Sequence, residues 1–266
     1  MSLRVIIDGP RGPQFNMAVD EAIARLRYTV GYDTLRLYMW LPSGVSIGRR
    51  QDARRSVRLE EVERLGFKLV RRPTGGAALL HPQDDEVTYS VVLSSNHPLY
   101  SMDVASSAAR ITEGIAIAVR RLGLEAGVRG LGEPWSSSFC YVNPGSSDVT
   151  ISGGKVSGSA QRRDWGVILQ HGTLLLRYDH NLFSRVLLVD EGVEVRVTGL
   201  LELLEVKLGE VIEALIEGFM EALGYKDSHR DSLSKEELSL ALELYREKYS
   251  RPEWNLEGVV VERWRW

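Results

Sequence analysis

The chain has 266 residues and one cysteine, Cys140, so its thiol has no intramolecular disulfide partner. That excludes a disulfide-stapled fold and points to a reducing compartment. Long apolar runs are also missing; none approaches the ~20 residues that span a bilayer. The N-terminal stretch MSLRVIIDGPRG lacks the apolar centre of a secretory signal. The expected location is the cytoplasm, with no membrane partner. Charge of one sign is absent as well: 33 basic residues face 36 acidic ones, for a net charge of -3. Such a balance carries no electrostatic footprint for nucleic acid. The acids Asp84, Asp85 and Glu86 are consecutive and have no histidine at ligand spacing, so no metal site is expected.

What is present is an ordinary globular composition, 44% hydrophobic and 26% charged, enough for a sizeable core. Leu3 to Ile7, Thr34 to Trp40, Gly44 to Gly48, Phe67 to Arg72, Glu86 to Leu93 and Val167 to Leu176 read as strands. Asp148 to Ser152 and Lys155 to Gln161 read as a hairpin turning at Gly153-Gly154. Helical spacing marks Asn16 to Tyr28, Leu59 to Leu65, Val104 to Leu122 and Leu208 to Leu223, the last closed by Gly224. Ser234 with Glu237 forms a capping-box signature for a helix to Tyr249. The polar stretch Lys226 to Ser232 reads as a connection and the tail VVVERWRW as an edge strand. Strands joined in pairs by short links imply an α+β class with a mixed, mostly antiparallel sheet and flanking helices. Residues 1–225 are expected to form the main domain. Residues 226–266 are expected to form a helical appendage packed on it or continuing it.

Three segments carry chemistry. RRPTGGAALLH, Arg71 to His81, ends a strand in two arginines and turns at Gly75-Gly76, an arrangement that suits a carboxylate or phosphate. It is neither a P-loop nor a dinucleotide fingerprint. Solvated arginines on a strand turn would look the same. Lys155 stands in GGKVSGSAQRR, where small residues allow close backbone approach to a ligand and the ammonium can stabilise charge on a carbonyl or phosphate. A surface hairpin lysine is its plain alternative. Cys140 lies in the polar, loop-like SSSFCYVNPGSSD, where a neighbouring cation would raise its thiolate fraction. His81 and His171 are candidate bases or structural histidines alike.

Taken in order, FNMAVDEA (Phe15 to Ala22), RRPTGGAALLH, VTYSVV, GGKVSGSAQRR, VILQHGTLLL (Val167 to Leu176) and LYREKYSRPEWN resemble the lipoate–protein ligase and octanoyltransferase superfamily, whose fold is related to that of biotin–protein ligases. The pairing of Cys140 with Lys155 resembles a ligase-like transferase branch that places its cysteine upstream of the GSAQ lysine. Two departures stand out. Ala77 replaces the third glycine usual in ligases, and HPQDDE replaces the ligases' HD-x-G-N-like sequence. The second also differs from the transferase branch.

The resemblance implies an octanoyltransferase that takes octanoate from acyl carrier protein, holds it on Cys140 and passes it to a lysine of a lipoyl domain. Acceptors would be lipoyl domains of 2-oxoacid dehydrogenases or the glycine cleavage H protein. Cys140 and Lys155 would be catalytic. Arg71, Arg72, Gly75, Gly76, His81, Tyr89, Gly158, Ser159, Ala160 and His171 would bind the acyl group or substrate. This reading needs no cofactor. The second reading is a lipoate–protein ligase using ATP and magnesium, with Cys140 incidental. A third is a binding module that carries an acyl group without turnover.

Overall fold

The structure is a computed structural model that describes residues 2–128, 148–188, 196–260 and 262–264. The chain begins with β1 (Ser2–Ile7), α1 (Pro13–Arg25), a short α2 (Arg27–Val30), β2 (Thr34–Tyr38) and β3 (Gly44–Ile47). Short helices α3 (Ala53–Ser56) and α4 (Leu59–Arg64) lead to β4 (Lys68–Arg71), β5 (Leu79–His81) and β6 (Glu86–Ser94). Next come α5 (Val104–Arg121), β7 (Ala126–Val128), β8 (Val149–Ile151), β9 (Gly154–Asp164) and β10 (Val167–Leu175). The order ends with α6 (His180–Val186), α7 (Leu208–Leu223), β11 (Asp227–Asp231) and α8 (Lys235–Leu244).

Local chemistry sets many of these boundaries. A proline in the first turn starts α1. Asp103 caps α5 by accepting from the Ser106 backbone N–H. Gly224, at φ +77°, closes α7. Ser234 and Glu237 make the reciprocal capping box of α8.

The large sheet runs β11-β1-β2-β6-β10-β9-β8-β7, and a smaller sheet runs β4-β3-β5. Pairing is mostly antiparallel; β1 with β2, β1 with β11, and β3 with β4 are the parallel pairs. The sheet alternation separates two cores. Val87, Tyr89 and Val91 of β6 pack with α5 and α7 through Ile111, Ile115, Leu215 and Phe219. The opposite face, with Val92 and Leu169, packs against α1 and α8. Among the described residues, no helix is long and apolar enough to cross a membrane.

Two expectations for the C-terminal region need correcting. The polar stretch read as a connection is β11, which pairs in parallel with β1 at the sheet edge. An edge strand exposes its side chains, so it needs backbone pairing rather than apolar alternation. The tail forms no strand among its described residues. Glu262–Trp264 is a 3-10 turn, and Trp264 is buried in the core under α1 and α8. Residues 226–266 thus contribute a strand to the main sheet as well as a helix on α1. Buried ion pairs secure this region: Arg4 to Glu237 at 2.5 Å and Lys248 to Glu21 at 2.7 Å. Burial lowers the Lys248 pKa to about 8. Burial also opposes the Glu21 charge, but Lys248 and Arg25 outweigh it and hold that carboxyl below its usual range.

Candidate active site

β9 and β10 build one wall of a narrow, partly enclosed cavity. Directly opposed residues of an antiparallel pair share a face. His171 pairs with Ala160 and Thr173 with Gly158, so all four face the cavity. Met17 from α1, Trp40 just after β2, and Leu79 and Arg72 from the small-sheet side complete much of the lining.

Most polar groups of this wall are turned into one another. Arg72 donates from Nη1 to Ser46 Oγ at 2.7 Å, and from Nη2 to the carbonyls of Gly75 (2.8 Å) and Ala77 (2.9 Å). Ser46 Oγ is 2.7 Å from His81 Nε2, and His81 Nδ1 is 2.7 Å from Glu86 Oε1. Because a carboxylate only accepts, the His81 Nδ1–H is the donor to Glu86. Trp40 stacks on His81 at 3.8 Å and donates to Thr88, which in turn donates to Glu86. His171 is held between Thr74 Oγ1 (2.7 Å) and Asp20 Oδ2 (3.1 Å). Burial lowers the His171 pKa, so the ring is neutral at pH 7. What remains exposed to the cavity is chiefly carbon, a lining suited to an unbranched acyl chain.

The Gly75-Gly76 turn wraps the Arg72 guanidinium. Gly76 has φ +86°, and a Cβ there would sit 3.2 Å from Arg72 Nη2. The turn therefore needs a residue without a side chain.

Lys155 owes its orientation to a β-bulge. Val149 pairs with Ser157, but Thr150 pairs with Lys155, so one extra residue, Val156, is accommodated in β9. In a regular strand Lys155 and Ser157 would share a face. The bulge reverses this and puts Lys155 on the face of Gly158, Ala160 and Arg162. Its backbone is fixed by Lys155 N–H donating to Arg196 O and Thr198 N–H donating to Lys155 O. Its ammonium lies 2.7 Å from Asp148 Oδ2, and both side chains are almost wholly buried. A buried cation with one fixed counter-charge can polarise a carbonyl brought beside it.

Several residues expected at the site stand elsewhere. Arg71 points away from the cavity and donates to carbonyls of Gly48, Arg49, Gln51, Trp254 and Leu256, joining the C-terminal segment to the loop after β3. Tyr89 lies on the opposite face of the sheet, against Phe219 at 4.8 Å, with its hydroxyl accepting from Gln170. Of the acids after His81, Glu86 belongs to the buried His81 relay and Asp85 pairs with Arg177. Among the described residues, no group of three or more His, Cys, Asp or Glu converges as a metal site. Cys140 lies outside the described residues.

Sequence reading missed a second basin. Arg49, Arg50 and Arg162, with Gln51 and Gln161, surround a groove at the outer side of the Gly75-Gly76 turn. A Cβ on Gly48 would fall 1.9 Å from Gly76 O, so the Arg49-Arg50 loop lies directly against that turn. The pair Arg49-Arg50 is visible in the sequence, but only the tertiary fold brings it to Arg162.

The sequence profile of the Lipoyl protein ligase A/B catalytic domain matches residues 12–220. The chain belongs to this family. Octanoyltransferase LipM of Kyrpidia tusciae is 41% identical, covering 95% of this chain and 97% of its own. Octanoyltransferase LipM of Bacillus subtilis is 36% identical with the same coverage. Among solved structures, lipoate-protein ligase A bound with ATP superposes with a TM-score of 0.86 at 33% identity, covering 97% of this chain and 100% of that one. A putative lipoate protein ligase from T. acidophilum with bound lipoic acid gives 0.84 at 32% identity, with 96% and 100% covered.

Proposed function

We propose that the chain is an octanoyltransferase of protein lipoylation and that it works through a thioester on Cys140. The observation that carries this reading is the near full-length kinship with octanoyltransferases LipM. The paired Lys155 and Asp148 on the cavity side of β9 support it. The octanoyl chain occupies the cavity between Trp40, Leu79 and the β9–β10 wall, with its carbonyl toward Lys155.

The Cys140 thiolate attacks the carbonyl of octanoyl-acyl carrier protein. A new C–S bond forms, the carrier's C–S bond breaks, and the departing carrier thiolate takes up the proton that Cys140 gave up on ionising. The neutral amine of a lipoyl-domain lysine then attacks the Cys140 thioester. An amide forms, and the amine's lost proton returns Cys140 to the thiol. In both steps the Lys155 ammonium stabilises the oxyanion. Two displacements on one nucleophile give ping-pong kinetics. No bond in this sequence needs ATP or magnesium, and the cytoplasm supplies both protein substrates.

A second reading, an ATP-dependent lipoate–protein ligase, draws on the ligase structures at 32–33% identity. The three groove arginines suit nucleotide phosphates, while no cluster of acids stands ready for a cation among the described residues.

Intact-protein mass spectrometry separates the two. Octanoyl-acyl carrier protein without ATP should leave an octanoyl adduct on Cys140, and the adduct should move to an added lipoyl domain. Modification that appears only with ATP and free lipoate would overturn the transferase reading.

A further inference from the structure

We propose that the Arg49–Arg50–Arg162 groove is the seat for the phosphate of the donor's 4′-phosphopantetheine arm. The inference rests on the transferase reading and adds what the donor must carry.

Geometry comes first. The groove and the acyl cavity lie on either side of the Gly75-Gly76 turn: Ala160 lines the cavity and Gln161, the next residue, lines the groove. Lys155 and Arg162 share a face of β9, and at about 3.3 Å per residue they stand roughly 20 Å apart. A pantetheine arm from sulfur to phosphorus is roughly 16 Å when extended, from ordinary bond lengths. With its thioester beside Lys155, such an arm ends about level with Gln161, which lines the groove.

The electrostatics agree. The chain as a whole is slightly acidic, yet three arginines converge here. Among the described residues, Asp164, which pairs with Arg162, and the buried Glu21 are acids that act on this cluster. Burial and then the repulsion of Arg162 and Arg50 lower the Arg49 pKa, so a dianionic group arriving here relieves existing like-charge strain. Arg162 also donates to Pro73 O at 2.9 Å, which fixes its guanidinium against the glycine turn. Guanidinium forks are the side chains that take phosphate oxygens in pairs.

The test is calorimetric titration of 4′-phosphopantetheine and of pantetheine into the full chain and into its Arg49→Glu and Arg50→Glu variants. Arg50 is exposed, so its replacement leaves the fold intact. The wild type should bind the phosphorylated arm at least about tenfold more tightly, and either variant should erase most of that difference. Equal affinity for both arms, or an unchanged ratio in both variants, overturns the proposal. Acyl transfer from octanoyl-acyl carrier protein and octanoyl-coenzyme A, each with wild type and Arg50→Glu, identifies the source of the phosphate. A raised KM with one donor only assigns the groove to that donor; a raised KM with both assigns it to the shared arm. Because binding is read without turnover, absence of acyl transfer from either thioester would sink the transferase reading alone.

Discussion

Lys155 Nζ and Asp148 Oδ2 lie 2.7 Å apart, and the bulge in β9 turns the lysine to the face that also carries Gly158 and Ala160. The pair joins Asp148, just ahead of β8, to the strand that walls the cavity. Replacing Lys155 with Met should lower transfer by about 10²–10³-fold, the scale of losing one oxyanion donor. Rapid-quench kinetics with octanoyl-acyl carrier protein reads it. Asp148→Asn should instead strand a buried cation, lowering stability by about 3–5 kcal/mol and the melting temperature by about 10 °C. A melting curve unchanged by Asp148→Asn would show that the pair is not needed to hold the lysine.

Arg71 should prove structural. Its guanidinium serves five carbonyls on two segments, which a lysine's single ammonium cannot reach together. Arg71→Lys should cost about 2–4 kcal/mol in urea unfolding and speed proteolysis near residues 251–258. Arg72→Lys, by contrast, should raise the KM for the acyl donor, because Arg72 shapes the cavity wall and the glycine turn.

His171 sets a pH dependence of stability. Burial lowers its folded pKa below the ordinary 6.5. Below that value the unfolded chain takes up a proton that the folded chain refuses, so stability falls as pH drops through 6.5 toward the lowered folded value. His97, also lowered by burial, acts in the same sense. Thermal unfolding between about pH 5 and pH 7 should therefore slope less steeply in His171→Gln than in the wild type. Parallel slopes would refute the assignment.

Leu79 tests the use of the cavity. It is buried and faces the same space as Trp40 and His171. Leu79→Ala should enlarge that space at a cost of about 2–5 kcal/mol. Competition between octanoyl and decanoyl donors should then shift toward the longer chain. A preference unchanged from wild type would mean the acyl chain lies elsewhere.

Much of the fold was legible because local signals were strong. The helix Leu208–Leu223 with its Gly224 cap and the Ser234 capping box stand where spacing and cap residues put them, and the hairpin forms but turns at Ser152-Gly153, one residue earlier than the expected Gly153-Gly154. β5 was not legible: three residues after a glycine turn carry too little periodicity. β11 was hidden because an edge strand of polar residues takes its stability from backbone pairing with β1.

The site divides the same way. Composition and motif order determined the family and singled out the turn at Gly75-Gly76 and Lys155 as candidates, since these depend on residue types at short spacing. The tertiary structure alone decided which arginine faces the cavity, since Arg71 and Arg72 are neighbours in sequence but have opposite partners. It also decided that His171 meets Asp20, far away in the chain, and that Arg162 joins Arg49 and Arg50. Those outcomes depend on strand register, one bulge and loop packing, which are set by contacts between segments distant in sequence and leave no local trace.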